Sequence, residues 1–289
     1  MTSRGWPAPA KLNLFLQVTG RRQDGFHELQ TVFQIIDLCD SLDFEVCDDG
    51  LVKRVAGNAA VAPEEDLVVR AARLLRRRGA VEHGVRIAVH KRIPLQGGLG
   101  GGSSDAATTL VALNELWGTG LGVDELAALG LQLGADVPVF VRGHSAWGEG
   151  VGEELVPIDL PQRWFAVIRP PAAVSTAEVF QAPDLTRNSP KITIRGFLQA
   201  GGRNDCEPVV TARYPQVRQA LDWLGQFGEA RMTGTGSCVF ASFVAQYEAA
   251  RALRGMPGDW QGFVARGLAV SPLPGRLEAE RTARQADLG

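Results

Sequence analysis

The segment Leu95-Gln96-Gly97-Gly98-Leu99-Gly100-Gly101-Gly102-Ser103-Ser104 lies between a strand-like alternation (Val85, Ile87, Val89) and a helix-like stretch running to Trp117. Glycine has no Cβ, so backbone N–H groups can converge on one anion. A helix behind the loop adds unpaired N–H groups and the positive end of its dipole. Ser103 and Ser104 add hydroxyl donors, and one of them can cap the helix. These parts suit a phosphate cradle; the plainer alternative is a flexible glycine turn with no ligand. No GxxxxGK[ST] occurs, which excludes a Walker-type loop, and no GxSxG elbow occurs. The GxGxxG-like spellings lack an acidic residue closing a second strand about 20 residues on, so a dinucleotide fold is weakly supported. A second glycine cluster, Arg231-Met232-Thr233-Gly234-Thr235-Gly236-Ser237-Cys238, reads alone as a hairpin and matters as a possible second wall of the same site.

Other polar residues stand in apolar company. Lys11 and Asn13 share one face of a strand whose other face carries Leu12, Leu14, Leu16 and Val18. They line either a site or an ordinary exposed face. Asp136, within Leu133-Gly134-Ala135-Asp136-Val137-Pro138, is costly to bury unless paired. It could also cap a helix entered through Pro138. His27 by itself reads as a surface residue, and no histidines stand at metal-ligand spacing.

The elements that must hold these residues mix strands and helices without a clean βαβαβ alternation, an α+β pattern. Strands are predicted over Leu12–Val18, Thr31–Asp37, Leu42–Val46, Val85–Val89, Trp164–Ile168 and Phe263–Ala269, with a strand–loop–strand around Arg231–Phe243. Helices are predicted behind an Asp66 N-cap, from Ser103 to Trp117, and over Val123–Leu133, Thr176–Gln181, Ile192–Gln199, Gln216–Gln226 and Tyr247–Leu253. The helix after Asp66 carries Arg70, Arg73, Arg76, Arg77 and Arg78, read as a solvated face rather than a nucleic-acid patch. Arg276–Gly289 is polar and expected to fray.

At 289 residues the chain can bury a large core without staples. Thirty basic against 32 acidic residues leave a net charge of −2, no field for nucleic acid or anionic lipid. Four cysteines without a CxxC pair, no apolar run long enough to span a membrane and no apolar signal core near Met1–Pro7 point to the cytoplasm.

Taken together, these segments resemble the GHMP kinases, the family of galactokinase and of homoserine, mevalonate and phosphomevalonate kinases. Three motifs appear in order: Pro9-Ala10-Lys11-Leu12-Asn13-Leu14, Pro94 to Ala107, and Met232 to Val239. Asp24-Gly25-Phe26-His27-Glu28-Leu29 and the Gly-Ala-Asp-Val-Pro segment make the chain similar to members acting on a cytidine diphosphate-linked sugar alcohol. The resemblance implies a two-domain α+β fold, residues 1–160 and 161–289, with the site in the cleft between them. It implies ATP and Mg²⁺ as cofactors, with no metal ligand assigned, no nucleic-acid or membrane partner, and an oligomeric state left open. Lys11 and Asp136 would stand at the reacting hydroxyl. Lys91, Pro94, Leu95, Gln96, Gly97, Gly98, Leu99, Gly100, Gly101, Gly102, Ser103 and Ser104 would bind ATP. Asn13, Phe26, His27, Phe33, Thr176 and Phe180 would bind the second substrate.

Two departures from the family pattern touch the nucleotide side. Asp66 stands where asparagine is expected, and Gln96 where a small residue is expected. The competing readings are another small-molecule kinase of the family, such as mevalonate or homoserine kinase, and a non-catalytic sensor on the same fold. The Asp-Gly-Phe-His segment argues against the first, and retained Lys11 and Asp136 against the second.

Overall fold

Two long antiparallel strands, β1 (Thr2–Arg21) and β2 (His27–Cys47), dominate the first half of the computed structural model, which describes residues 1–288. β3 (Val52–Ala56), helix α1 (Leu67–Arg78) and β4 (Gly84–His90) follow, with β4 antiparallel to β2 and parallel to β3. Helices α2 (Gly101–Leu116), α3 (Val123–Leu131) and α4 (Val137–Arg142) come next, then the hairpin β5 (Ala146–Glu149) and β6 (Glu154–Pro157), where β5 also pairs with β2.

The second half comprises β7 (Trp164–Arg169), α5 (Thr176–Gln181), α6 (Ile194–Ala200), α7 (Glu207–Arg213), α8 (Pro215–Gly225), β8 (Ala230–Met232), β9 (Val239–Phe243), α9 (Gln246–Ala252), β10 (Gln261–Leu268) and α10 (Pro272–Leu288). The order β3-β4-β2-β10-β7-β9-β8 makes one continuous path, because β10 pairs with β7 along its length and with β2 at Gly267 and Leu268.

α1 buries Val68, Val69, Ala71, Ala72 and Leu75 and turns Arg70, Arg77 and Arg78 to solvent. Asp66 caps it, accepting from the Val68 N–H at 3.1 Å, and also pairs with Arg54. α2 is buried nearly all round from Ser104 to Leu113, packed between α1, α3, α4 and β1. Its N-cap is Gly100 in a left-handed conformation with no side-chain cap bond, so the expected serine cap is not formed.

Several expectations change. β1 is buried on both faces: Lys11 is 3% exposed, Asn13 2% and Phe15 1%. The second half covers the face that alternation assigned to solvent. β3, β5, β6 and α7 had no clear signal, being short or lacking period. The tail expected to fray is helical through Leu288, with Gly289 outside the described residues. The Arg276 guanidinium lies 4.5 Å from the Trp6 ring, and Arg281 pairs with Glu115 at 2.9 Å. Leu273 joins the first half's core, so α10 packs with the first half although it follows the second in sequence. Among the described residues no helix is long and apolar enough to cross a membrane.

Candidate active site

β1 shifts register between Pro9 and Lys11 and again between Asn13 and Leu16. A bulge on either side re-aims the short stretch between them, and Lys11 and Asn13 enter a cavity of about 560 Å³ between the two halves. The same cavity receives Gly98, Gly100 and Ser103 from the glycine loop, Asp136 from the entry to α4, and Phe26 and His27 from the β1–β2 turn. Thr176 and Phe180 of α5, with Gly234 and Thr235 between β8 and β9, close the far side.

Every carbonyl from Leu95 to Gly100 is tied to the protein. Arg169 Nε donates to Leu95 O at 3.1 Å, and the Ser237 and Cys238 N–H groups donate to Gln96 O and Gly97 O. Lys11 Nζ (3.1 Å) and Thr233 Oγ1 (3.3 Å) donate to Gly98 O. The Lys11 N–H donates to Leu99 O and the Ser104 N–H to Gly100 O. With the carbonyls drawn inward, the N–H groups from Gly98 to Ser103 have no acceptor among the described residues. Such a strip of unsatisfied donors at a helix N-terminus is chemically suited to an anion. The second glycine cluster thus acts as a brace. Gly98 (φ +72°) and Gly100 (φ +73°) are required by more than conformation: a Cβ on Gly98 would run into Thr233 O, and one on Gly100 would lie 2.9 Å from Phe140 Cζ.

A smaller cavity of about 230 Å³ runs along the loop, lined by Leu67, Lys91, Pro94, Leu95, Gln96, Gly97, Leu99, Gly101 and Gly102 as well as Gly98, Gly100 and Ser103. Two members of the expected ATP set are otherwise engaged. Ser104 is 0% exposed, its hydroxyl faces the core without a partner, and its N–H is used by Gly100. Lys91 Nζ sits between the buried carboxylates of Asp40 and Asp105, 2.7 Å from Asp105 Oδ2. Asp40 also accepts from the N–H groups of Arg92 and Ile93, which anchors the approach to the loop. Burial pushes Asp105 up to about 7, with nearby Asp40 raising it further and Lys91 opposing. Gln96 takes a left-handed conformation (φ +55°) and is exposed while lining the smaller cavity.

Lys11 Nζ lies 3.2 Å from Asp136 Oδ2, joining a buried cation to a carboxylate that is 34% exposed. Asp136 occupies the N-cap position of α4 but makes no capping bond. The pairing with Lys11 and not capping explains the acid. Asn13 Oδ1 accepts from Lys11 and its Nδ2 donates to Thr31 at 2.8 Å, which leaves the second Nδ2 hydrogen for a ligand in the cavity that Asn13 lines. Asn13 also holds Lys11 in place. Phe33, expected around the second substrate, is 2% exposed and forms the floor, its ring centroid 5.7 Å from Lys11 Nζ.

On the opposite wall the His27 and Phe180 rings stack with centroids 5.2 Å apart, too close to admit a third ring between them. Phe26 is 62% exposed at the turn. Thr176 Oγ1 and Thr235 Oγ1 lie 2.8 Å apart and join α5 to the second glycine cluster. Arg187, which no sequence signal marks, donates from Nε to His27 Nε2 at 3.0 Å. Burial, and then the charges of Arg187 and Arg21, hold His27 below its ordinary pKa. Among the described residues no group of three or more His, Cys, Asp or Glu is placed to hold a metal.

Comparison with known proteins accounts for this arrangement. Residues 66–144 match the GHMP kinases N terminal domain and residues 180–259 the GHMP kinases C terminal domain. A 4-diphosphocytidyl-2-C-methyl-D-erythritol kinase from Alkalilimnicola ehrlichii is 57% identical over 285 residues, 99% of this chain and 98% of that one. The chain belongs to the GHMP kinases. A crystal structure of 4-(cytidine 5'-diphospho)-2C-methyl-D-erythritol kinase superposes with a TM-score of 0.80 at 32% identity, over 92% of this GHMP kinase and 99% of that chain. A mevalonate kinase structure covering 92% of this chain and 99% of its own gives 0.67 at 16% identity, which shows the shared GHMP kinase fold alone. The matched N-terminal region contains the glycine loop and Asp136 but not Lys11. Only the folded strand pair brings that lysine to the acid.

Proposed function

We propose that this GHMP kinase transfers the γ-phosphoryl group of ATP to the 2-hydroxyl of 4-diphosphocytidyl-2-C-methyl-D-erythritol, a step in the methylerythritol phosphate route to isoprenoid precursors. One observation carries the reading. The Lys11–Asp136 pair stands between a strip of free N–H donors and an aromatic wall in one cavity. That cavity can therefore hold a polyphosphate on one side and a flat heterocycle on the other. The 57% identical relative bears the name of this activity along its whole length.

Phosphoryl transfer asks mainly for positioning and charge stabilisation. The N–H groups from Gly98 to Ser103 hold the triphosphate. Asp136 orients the substrate hydroxyl and accepts its proton as the hydroxyl oxygen bonds to the γ-phosphorus and the β–γ bridging bond breaks, releasing ADP. Lys11 offsets negative charge at the transferring group, and Asn13 and Gly98 O fix its ammonium. Mg²⁺ bound with the triphosphate would neutralise phosphate charge. Such an ion keeps several waters and needs only one or two carboxylates, so Asp136 and Ser103, which line the cavity, would hold it. Phe26, Phe180 and His27 take the cytosine. The cleft divides residues 1–160, completed by α10, from the rest of the chain. Four cysteines, sparse in 289 residues and without a CxxC pair, suit a cytoplasmic enzyme.

The test is kcat/KM for the cytidyl substrate, its uridyl counterpart, the bare methylerythritol phosphate, mevalonate and homoserine. The cytidyl compound should lead. Loss of the cytidine should lower kcat as well as raise KM, because remote binding energy aligns the hydroxyl. Equal or better turnover of mevalonate or homoserine would overturn the assignment.

A further inference from the structure

Arg187 makes four hydrogen bonds. Nε donates to His27 Nε2 at 3.0 Å, and the two terminal nitrogens donate to the carbonyls of Leu185 (3.1 Å), Phe180 (2.8 Å) and Ala182 (2.7 Å). The carbonyls orient the guanidinium, and one belongs to the residue whose ring stacks on His27. A guanidinium only donates and stays charged throughout the working pH range. An N–H···N bond to His27 Nε2 therefore requires a lone pair there, which places the ring proton on Nδ1. A doubly protonated ring would set donor against donor. Among the described residues no protein group hydrogen-bonds Nδ1, so its N–H is what the ring can offer a ligand in the cleft it lines.

We infer that Arg187 is a positioning residue that holds His27 as the neutral Nδ1–H tautomer and thereby sets which pyrimidine edge the cleft accepts. This rests on the cytidyl-substrate reading above. Cytosine carries a lone pair at ring N3, where uracil carries N–H. A fixed Nδ1–H donor satisfies the first and opposes the second. An imidazole free to exchange tautomers would serve both. The charged groups facing the ring are Arg21, at the end of β1, and Arg187. Both disfavour a second proton, so the ring stays neutral down to lower pH than an ordinary histidine.

The experiment joins ¹⁵N NMR of the His27 ring in the full chain with kcat/KM for the cytidyl and uridyl diphosphate substrates, in wild type, R187A and R187K. Wild type should show a protonated Nδ1 and a bare Nε2. R187A should show mixed tautomers, titrate His27 at higher pH, and narrow the cytidyl-over-uridyl preference by about tenfold, with the KM for ATP unchanged. R187K keeps a donor and should restore the Nδ1–H form. A wild-type ring protonated at Nε2 overturns the inference even if R187A does not fold. A shifted tautomer with an unchanged substrate ratio overturns it as well, because a merely structural arginine would lower both efficiencies alike. If wild type does not use the cytidyl substrate, the substrate reading fails, while the NMR arm still decides the tautomer.

Discussion

On the loop side of the cleft the polar groups left without a protein partner are backbone N–H groups between Gly98 and Ser103. On the aromatic side the lining groups are the side chains of Phe26, His27 and Phe180. The loop side comes from one short stretch of chain, with its carbonyls anchored by Arg169, Ser237, Cys238, Lys11, Thr233 and Ser104. The aromatic side joins segments distant in the chain, and Arg187, 160 positions from His27, holds it together. The loop should thus respond to the addition of a Cβ and hardly at all to changes of exposed side chain. The wall should respond to side-chain truncation and leave ATP binding alone.

The most severe break removes the group that serves both sides. Asp136→Asn should retain both substrates and lower kcat by about 100-fold or more, the usual scale for a positioned acid–base group. Near-wild-type kcat in the folded variant would remove Asp136 from the chemistry. Next comes the loop. In Gly98→Ala the methyl group meets the Thr233 carbonyl at a left-handed position. ATP affinity by calorimetry should fall by roughly tenfold or more, with affinity for the cytidyl substrate nearly intact. Unchanged ATP affinity would show that the strip of donors is not the cradle.

Phe180→Ala tests the other side. Losing a stacking face costs about 1–3 kcal/mol per base, so kcat/KM for the cytidyl substrate should fall about tenfold while the KM for ATP stays put. Parallel losses for both substrates would mean that the two sides are not separable. The smallest effect is expected at Gln96→Gly. An exposed non-glycine residue at φ +55° is strained, so glycine should leave activity unchanged and raise stability by about 1 kcal/mol or less. A drop in denaturation midpoint would show that the Gln96 side chain supports the loop.

The two sides were also unequally legible. The glycine loop, the helix behind it and the Asp66 cap were readable because each depends on neighbours in sequence. Asp136 was visible as an acid in apolar company; its association with Lys11 came only through the family resemblance, since capping and ion pairing leave the same local pattern. Lys11 and Asn13 looked half exposed because alternation reports one strand, and only the covering second half buries both faces. Lys91 and Ser104 look like phosphate ligands by position. Helix rotation turned Ser104 into the core, and Asp40, contributed by β2, took up the lysine beside Asp105. Arg187 had no signal at all, because a lone arginine in a loop says nothing until its acceptors are known.

By itself the sequence determined the α+β class, the glycine loop before a helix and the family, all of which rest on short-range patterns of glycine, apolar period and motif. Tertiary structure decided which charges meet. The Lys11–Asp136 pair, the Asp40–Lys91–Asp105 cluster and the Arg187–His27 bond each join segments distant in the chain. The helix expected to fray is held against the first half in the same way, by Glu115 and Trp6. The reason is physical: local propensity depends on a residue's neighbours in sequence, whereas the partner of a buried charge depends on what the completed fold brings within about 3 Å.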